Sequence, residues 1–164
     1  MTIAPLDPQG AFATLLRHGV EFIVIGGLAA EVHGVGWATI DIDIVVATTE
    51  PNYVALEAAL AEMDAEFVML SNQRIVPDLT RITTFTGPML LRTRYGRLDV
   101  LKEAGGETYE TLIVDAVEAS ADGVRAASLA AIARMKRAAN RRKDREVLPA
   151  IEEALRKRGE GDVT

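Results

Sequence analysis

The chain has 164 residues, 49% hydrophobic and 26% charged, which suits one globular domain with a mostly aliphatic core. It contains no cysteine and only two histidines, so disulfides, thiolate metal sites and multi-histidine zinc sites are excluded. Any bound metal is therefore expected to be a hard, oxygen-liganded ion such as Mg²⁺ or Mn²⁺.

The first residues lack the basic and apolar pattern of a secretory signal. No apolar run approaches the roughly 18–20 residues that are needed to span a membrane. We therefore expect a cytoplasmic protein with no membrane partner.

The net charge of -6 is unevenly distributed along the chain. Residues 134–145 hold seven basic side chains and one acid, about +6, which leaves about -12 on the rest. Such a basic patch on an acidic body favours a polyanion, such as RNA, that docks at one place. The alternative is an ordinary solvated helix face.

Apolar periodicity and the positions of glycine and proline predict the elements of the first half of the chain. Residues 22–25 and 41–46 are expected to be strands, and the first of these is fully apolar, as in a strand buried on both faces. Helices are expected at residues 8–18, 28–33 and 51–63.

The second half begins with a polar connection at 71–80, followed by strands at 82–85, 89–93 and 97–101 and a small hairpin at 112–127. Ser128 is the expected N-cap of a helix, and a final helix follows from about residue 143 to residue 158. This order predicts an α/β (α+β) fold, in which a mixed sheet is flanked by helices and a C-terminal helical hairpin. We expect a main domain at 1–127, with a helical segment at 128–164 packed on it.

Three acids stand between apolar neighbours in the predicted strands. Because strand side chains alternate, Asp41 and Asp43 share one face, about 6.5–7 Å apart, while isoleucines take the other. Asp99 is a similar lone acid between Leu98 and Val100. Carboxylates beside so apolar a strand are costly unless a cation compensates them, so these three aspartates are the predicted metal ligands.

Gly26 and Gly27 follow a buried strand and open a helix. A turn of this kind allows backbone N–H groups to approach a phosphate closely. The alternative is a turn that only packs the helix against the strand.

These residues together resemble the nucleotidyltransferase superfamily that includes DNA polymerase β. Its signature is an apolar residue with two small residues, then Asp-x-Asp, and later a third acid between apolar residues. Here the matching segments are Ile25-Gly26-Gly27, Asp41-Ile42-Asp43 and Leu98-Asp99-Val100. The chain looks most like the small bacterial AbiE-type toxin nucleotidyltransferases, in the segments at 29–34, 39–43, 135–139 and 142–144.

The resemblance implies the nucleotidyltransferase fold and Mg²⁺-dependent transfer of a nucleoside monophosphate from an NTP to a hydroxyl. It implies that Asp41, Asp43 and Asp99 hold the metal, that Asp99 activates the acceptor, and that Gly26 and Gly27 cradle the triphosphate. By the same analogy Lys136 is a catalytic and nucleotide-binding residue, and Asp144 and Thr39 belong to the nucleotide site. Thr39 is equally well explained as a strand-entry residue, Lys136 as a surface lysine and Asp144 as the partner of a neighbouring arginine.

The sequence leaves alternatives for the role of Trp37 and for the identity of the acceptor. Family members often carry an arginine where this chain has Trp37, which could stack on a base or cover the core. The acceptor is expected to be RNA or tRNA, as for a toxin with a cognate antitoxin. The alternatives are a small-molecule nucleotidyltransferase of the antibiotic-modifying type and a non-catalytic nucleotide-binding or interaction module.

Overall fold

The apolar runs of the sequence form the centre of a seven-stranded mixed β-sheet in a computed structural model that describes residues 2–159. The sheet order is β3-β4-β5-β2-β1-β9-β8, and a separate hairpin joins β6 to β7. Within residues 2–159 the strands are β1 (Phe22–Ile25), β2 (Asp41–Val46), β3 (Glu66–Phe67), β4 (Met89–Thr93), β5 (Gly96–Leu101), β6 (Glu103–Ala104), β7 (Glu107–Thr108), β8 (Val117–Glu118) and β9 (Arg125–Ala126).

Helices flank this sheet and follow it along the chain. Over the same residues they are α1 (Pro8–Arg17), α2 (Gly26–Val32), α3 (Glu50–Glu62), α4 (Leu79–Thr84), α5 (Tyr109–Leu112), α6 (Leu129–Ala139) and α7 (Arg142–Lys157). The predicted α+β class is confirmed, including the pair of helices α6 and α7 that pack on each other. Residues 1 and 160–164, the outer ends of the two predicted segments, lie outside the described residues.

The core is aliphatic, as the composition predicted. On the central strands the side chains of Ile42, Ile44, Leu98 and Val100 are at most 1% exposed. Burying side chains of this size contributes roughly 1.5–3 kcal/mol each. Among residues 2–159, no helix combines the length and the apolar character that crossing a membrane requires.

The predicted strand at 82–85 is wrong, because Leu79–Thr84 forms α4 instead. The side chain of Asp78 caps this helix by accepting a hydrogen bond from the Arg81 N–H at 2.9 Å. Ile82 is fully buried, while the neighbouring threonines donate their hydroxyls to the Thr80 carbonyl. The cap and the burial of one side chain thus override the strand preference of a β-branched run.

The small hairpin is shorter than the sequence predicted. Residues 109–112 form the helix α5, capped by Thr108 and Thr111, and β8 pairs with β9 only at two positions on each strand. Strand β9 then joins the main sheet through a parallel pairing of Ala126 with Val24 of β1. The hairpin therefore extends the sheet beyond β1 and delivers the chain to α6.

Candidate functional site

The three predicted carboxylates lie on one face of the two central strands. Strands β2 and β5 are parallel, with Asp43 opposite Asp99 and Asp41 opposite Arg97. Neighbouring strands are about 4.8 Å apart, so Asp43 and Asp99 are direct neighbours across the sheet. Their apolar neighbours alternate to the buried face, which is the arrangement that the sequence predicted.

Burial and mutual repulsion perturb the titration of this cluster. Burial, reinforced by the charges of Asp43 and then Asp41, raises the pKa of Asp99 from 3.8 to about 7. Burial and the charge of Asp41 also raise the pKa of Asp43, against the opposing charge of Lys136. The site thus concentrates negative charge in a place that water solvates poorly.

Two buried carboxylate oxygens of the cluster accept no hydrogen bond. They are Oδ1 of Asp99 and Oδ1 of Asp41, the latter with only the charge of Arg97 nearby, whose Nε lies at 3.5 Å. Over residues 2–159, no group of three or more His, Cys, Asp or Glu side chains is already drawn together as a metal site. The oxygens without hydrogen bonds, the raised pKa values and the all-carboxylate chemistry nevertheless fit a hard divalent cation, whose charge would offset the mutual repulsion of the three carboxylates.

The two glycines are required by close packing around this cluster. Gly26 has a φ of +68°, and a Cβ placed on it would lie 2.6 Å from Oδ2 of Asp43. A Cβ on Gly27 would lie 2.8 Å from Cβ of Thr39. Helix α2 starts at Gly26, two residues earlier than predicted, so the glycine turn lies directly against the carboxylates.

Thr39 serves the entry to β2. Its hydroxyl donates to the Asp41 carbonyl at 3.0 Å, and the Asp41 N–H approaches the same hydroxyl at 3.4 Å. This short loop fixes the backbone immediately before the first carboxylate.

Lys136 comes from α6 and faces the carboxylates from the opposite wall. Its Nζ lies 3.0 Å from Oδ1 of Asp144 and 5.0 Å from the centre of the Trp37 ring. The positive charge of Lys136 acts on Asp43, whose pKa it lowers. The structure therefore brings a cation from late in the chain next to the acidic cluster.

Asp144 does not line the cleft; it lies behind Lys136 with a fully buried side chain. Its two oxygens accept from Lys136 Nζ, from the Arg141 backbone N–H at 3.1 Å and from Arg141 Nε at 2.7 Å. Although burial acts to raise it, these bonds hold the pKa of Asp144 at about 2. Asp144 is thus placed to orient Lys136, with no oxygen turned toward a ligand.

These residues surround a cleft of about 720 Å³. Its lining combines the glycine turn, the three aspartates, Trp37 and Thr39 with basic residues of the C-terminal helices, Lys136, Arg141 and Lys143. An acidic floor beside a basic wall suits a ligand that binds through a metal and carries several negative charges.

The predicted basic patch is largely paired with acids. Arg134 binds Glu107 at 2.7 Å, Arg137 binds Glu152 at 3.2 Å, and Arg142 binds Glu146 at 3.2 Å. Among the described residues Lys143 makes no ion pair, and it lies on the cleft wall, where its charge lowers the pKa of Asp43. The positive charge that remains for a polyanion is therefore concentrated at the cleft and is not spread along the whole 134–145 segment.

Arg97 was missed as a residue of the candidate site, and Arg141 was counted only within the basic 134–145 segment. The alternative prediction that Asp144 pairs with a neighbouring arginine is confirmed by its contact with Arg141. Arg97 Nε lies 3.5 Å from Oδ1 of Asp41, and strand alternation could have found it, because it stands two residues before Asp99. Arg141 binds Asp144 three residues later, a spacing that the sequence shows but whose geometry depends on the turn before α7.

No protein-family model matches this chain, and no curated protein sequence matches it significantly. The residues and geometry of the cleft are therefore the basis on which a function can be proposed.

Proposed function

We propose that the chain is a metal-dependent nucleotidyltransferase that moves a nucleoside monophosphate from an NTP to a hydroxyl acceptor. One observation carries the proposal: Asp41, Asp43 and Asp99 share a sheet face, with two buried oxygens that accept no hydrogen bond, in a cleft whose other wall is basic. The resemblance of the Gly-Gly, Asp-x-Asp and single-Asp segments to the nucleotidyltransferase superfamily supports the same reaction.

In this proposal, some residues of the cleft bind the metal ion and others contact the phosphates. A magnesium or manganese ion held by Asp41, Asp43 and Asp99 would neutralise charge on the triphosphate and on the leaving pyrophosphate. Lys136 supplies a positive charge on the opposite wall, and Gly26 and Gly27 line the cleft where, by the family resemblance, the triphosphate would lie. Thr39 and Asp144 act indirectly, by fixing Asp41 and Lys136.

The proposed chemistry is an in-line displacement. The acceptor oxygen forms a bond to the α-phosphorus while the bond to the bridging oxygen breaks, and pyrophosphate leaves with the electron pair. By the family resemblance, the acceptor proton passes to the carboxylate of Asp99, which would also help to hold the ion.

RNA is the proposed acceptor, with tRNA as the first candidate, as for a cytoplasmic toxin controlled by a cognate antitoxin. The exposed basic side chain that best supports a polyanion at the cleft is Lys143. The ion pairs of Arg134, Arg137 and Arg142 reduce the charge that the rest of the patch offers to RNA.

The test is label transfer from each of the four α-³²P-labelled NTPs to total tRNA in the presence of Mg²⁺. Asp43→Asn keeps the side-chain volume and removes the charge, so we expect transfer to fall by at least about 100-fold. Asp122→Asn changes an exposed turn residue that does not line the cleft, so it is the matched control and should retain activity.

Other outcomes distinguish the alternatives. Label on a small hydroxyl compound but not on RNA would identify a small-molecule nucleotidyltransferase. NTP binding in calorimetry, without release of pyrophosphate from the NTP in the presence of any acceptor, would contradict the enzymatic proposal and favour a nucleotide-binding module.

A further inference from the structure

Lys136 is held between two groups of opposite character. Its Nζ lies over the indole ring of Trp37, 5.0 Å from the centre, and 3.0 Å from the buried carboxylate of Asp144. The lysine side chain is 15% exposed, low for a residue with a long and flexible stem. A cation between an aromatic face and a carboxylate has far fewer positions open to it than a lysine on a surface.

The indole is itself fixed by the glycine turn. A Cβ on Gly27 would lie 3.2 Å from Nε1 of Trp37, so the absence of a side chain there lets the ring pack against the start of α2. The ring therefore lies between the glycine turn and the ammonium group on α6. Both the ring and the lysine line the cleft that holds Asp43.

Asp144 holds Lys136 from one side only. Its carboxylate is fully buried and does not line the cleft, so it orients the ammonium group from within the protein. Trp37 lines the cleft and offers the ammonium a second attractive surface there. The two contacts together explain why the ammonium stays at the cleft wall.

We propose that Trp37 is a positioning residue, whose ring holds the Lys136 ammonium at the cleft wall for contact with the phosphates of a nucleoside triphosphate. The proposal rests on the function proposed above and adds that the contact with Trp37 does not depend on the nucleobase. It predicts that loss of the ring weakens phosphate binding through Lys136.

Trp37 is the single tryptophan of the chain, so intrinsic fluorescence reports on this pair directly. The full chain is titrated with inorganic tripolyphosphate and with ATP, both with Mg²⁺, and Kd is measured by calorimetry for Trp37→Leu, Trp37→Phe, Lys136→Met and Trp37→Leu/Lys136→Met. Lys157→Met is the matched lysine control, since Lys157 is an exposed helix residue whose partner is Glu153. Lys136→Met should change the fluorescence of Trp37, whereas Lys157→Met should leave it unaltered.

We expect Trp37→Leu to weaken tripolyphosphate binding about 3- to 10-fold, and Trp37→Phe, which keeps an aromatic face, to recover most of the loss. In the Lys136→Met background Trp37→Leu should have little further effect, because the two side chains act through one contact. A merely structural role of Trp37 would instead give additive losses.

Three results would overturn the proposal. If Trp37→Leu weakens ATP binding but leaves tripolyphosphate binding unchanged, the ring serves to stack on the base and not to position Lys136. If Trp37→Leu binds each ligand with the same Kd as the wild type, Trp37 has no positioning role, even if label transfer succeeds. A wild type that binds neither ligand and transfers no label would contradict the proposed function as well.

Discussion

The three aspartates of the cleft have the same chemistry but different surroundings. Oδ1 of Asp41 lies 3.5 Å from Arg97 Nε. The charges of Lys136 and Lys143 act to lower the pKa of Asp43, although burial and Asp41 outweigh them. Arg97 also lowers the pKa of Asp99, but burial and the two neighbouring carboxylates outweigh it and bring that pKa to about 7. Asp99 is therefore the carboxyl whose ionisation costs the folded protein most when no cation is bound.

Replacing Asp99 should stabilise the metal-free protein at high pH. Because the folded pKa of about 7 exceeds the ordinary 3.8, ionisation of Asp99 lowers the free energy of unfolding of the wild type as the pH rises from about 4 to about 7. Asp99→Asn carries no such penalty and should have the higher free energy of unfolding at pH 8, with an advantage that vanishes toward pH 4. Urea denaturation in EDTA across this range measures the difference.

Mg²⁺ provides the complementary measurement on the same two proteins. At pH 8 the ion should raise the unfolding midpoint of the wild type and should have a smaller effect on Asp99→Asn. A variant that is less stable than the wild type at pH 8 in EDTA would show that Asp99 is satisfied without a cation.

At the scale of elements, the junction of α6 and α7 decides where the basic wall lies. Helix α6 ends at Asn140, which adopts the left-handed conformation with a φ of +48°. The chain then turns at Arg141, and the Asp144 side chain accepts the Arg141 N–H at the start of α7. The same carboxylate binds Lys136 on α6, so one residue links the two helices and the cleft.

Asp144→Asn should loosen this junction. The folded pKa of about 2 lies below the ordinary 3.8, so the stabilisation is present above about pH 4 and is lost as the pH falls toward 2. At pH 7 we expect a loss of about 2 kcal/mol in the free energy of unfolding, measured by urea denaturation. Glu152→Gln, which removes an exposed partner of Arg137, should have a much smaller effect, and equal losses would contradict the role assigned to Asp144.

The sequence predicted the long elements and the strands of the site, because apolar alternation sets the faces of a strand without help from distant residues. Asp41 and Asp43 lie on one face for that reason. The helix α4 was missed because its residues Ile82, Thr83 and Thr84 favour strands locally, while its cap and the burial of Ile82 depend on the tertiary fold.

The contacts within the site were less predictable than its residues. Lys136 and Asp144 came from a family resemblance, but their direct contact and the buried position of Asp144 depend on how α7 folds back on α6. The pairing of Lys136 with Trp37 joins segments that are about a hundred residues apart. No local pattern in the sequence specifies such a contact.

Across the whole molecule, ion pairs redistribute the charge that the sequence shows. The net charge is -6, and acids elsewhere in the fold neutralise part of the 134–145 segment. Lys143 faces the cleft, whereas Arg142, whose side chain is 89% exposed, pairs with Glu146. Attraction for a polyanion should therefore concentrate at the mouth of the cleft.

Two charge reversals test this distribution. Lys143→Glu and Arg142→Glu change the net charge equally, but we expect Lys143→Glu to weaken binding of a single-stranded RNA oligonucleotide more strongly. Fluorescence anisotropy at several salt concentrations should also show a smaller salt slope for Lys143→Glu, by about one phosphate contact. Equal effects of the two reversals would indicate a diffuse basic surface.

The order of the site residues along the chain has a consequence for biosynthesis. Asp41, Asp43 and Asp99 leave the ribosome before Lys136 and Asp144, and β1 keeps an unpaired edge until β9 arrives beside it. A nascent chain that has reached residue 101 holds every proposed metal ligand but lacks α6 and α7, the source of the basic wall. Translation thus delivers every proposed metal ligand before the helices that carry the basic wall of the proposed phosphate site, so the two halves of the cleft are made at different times.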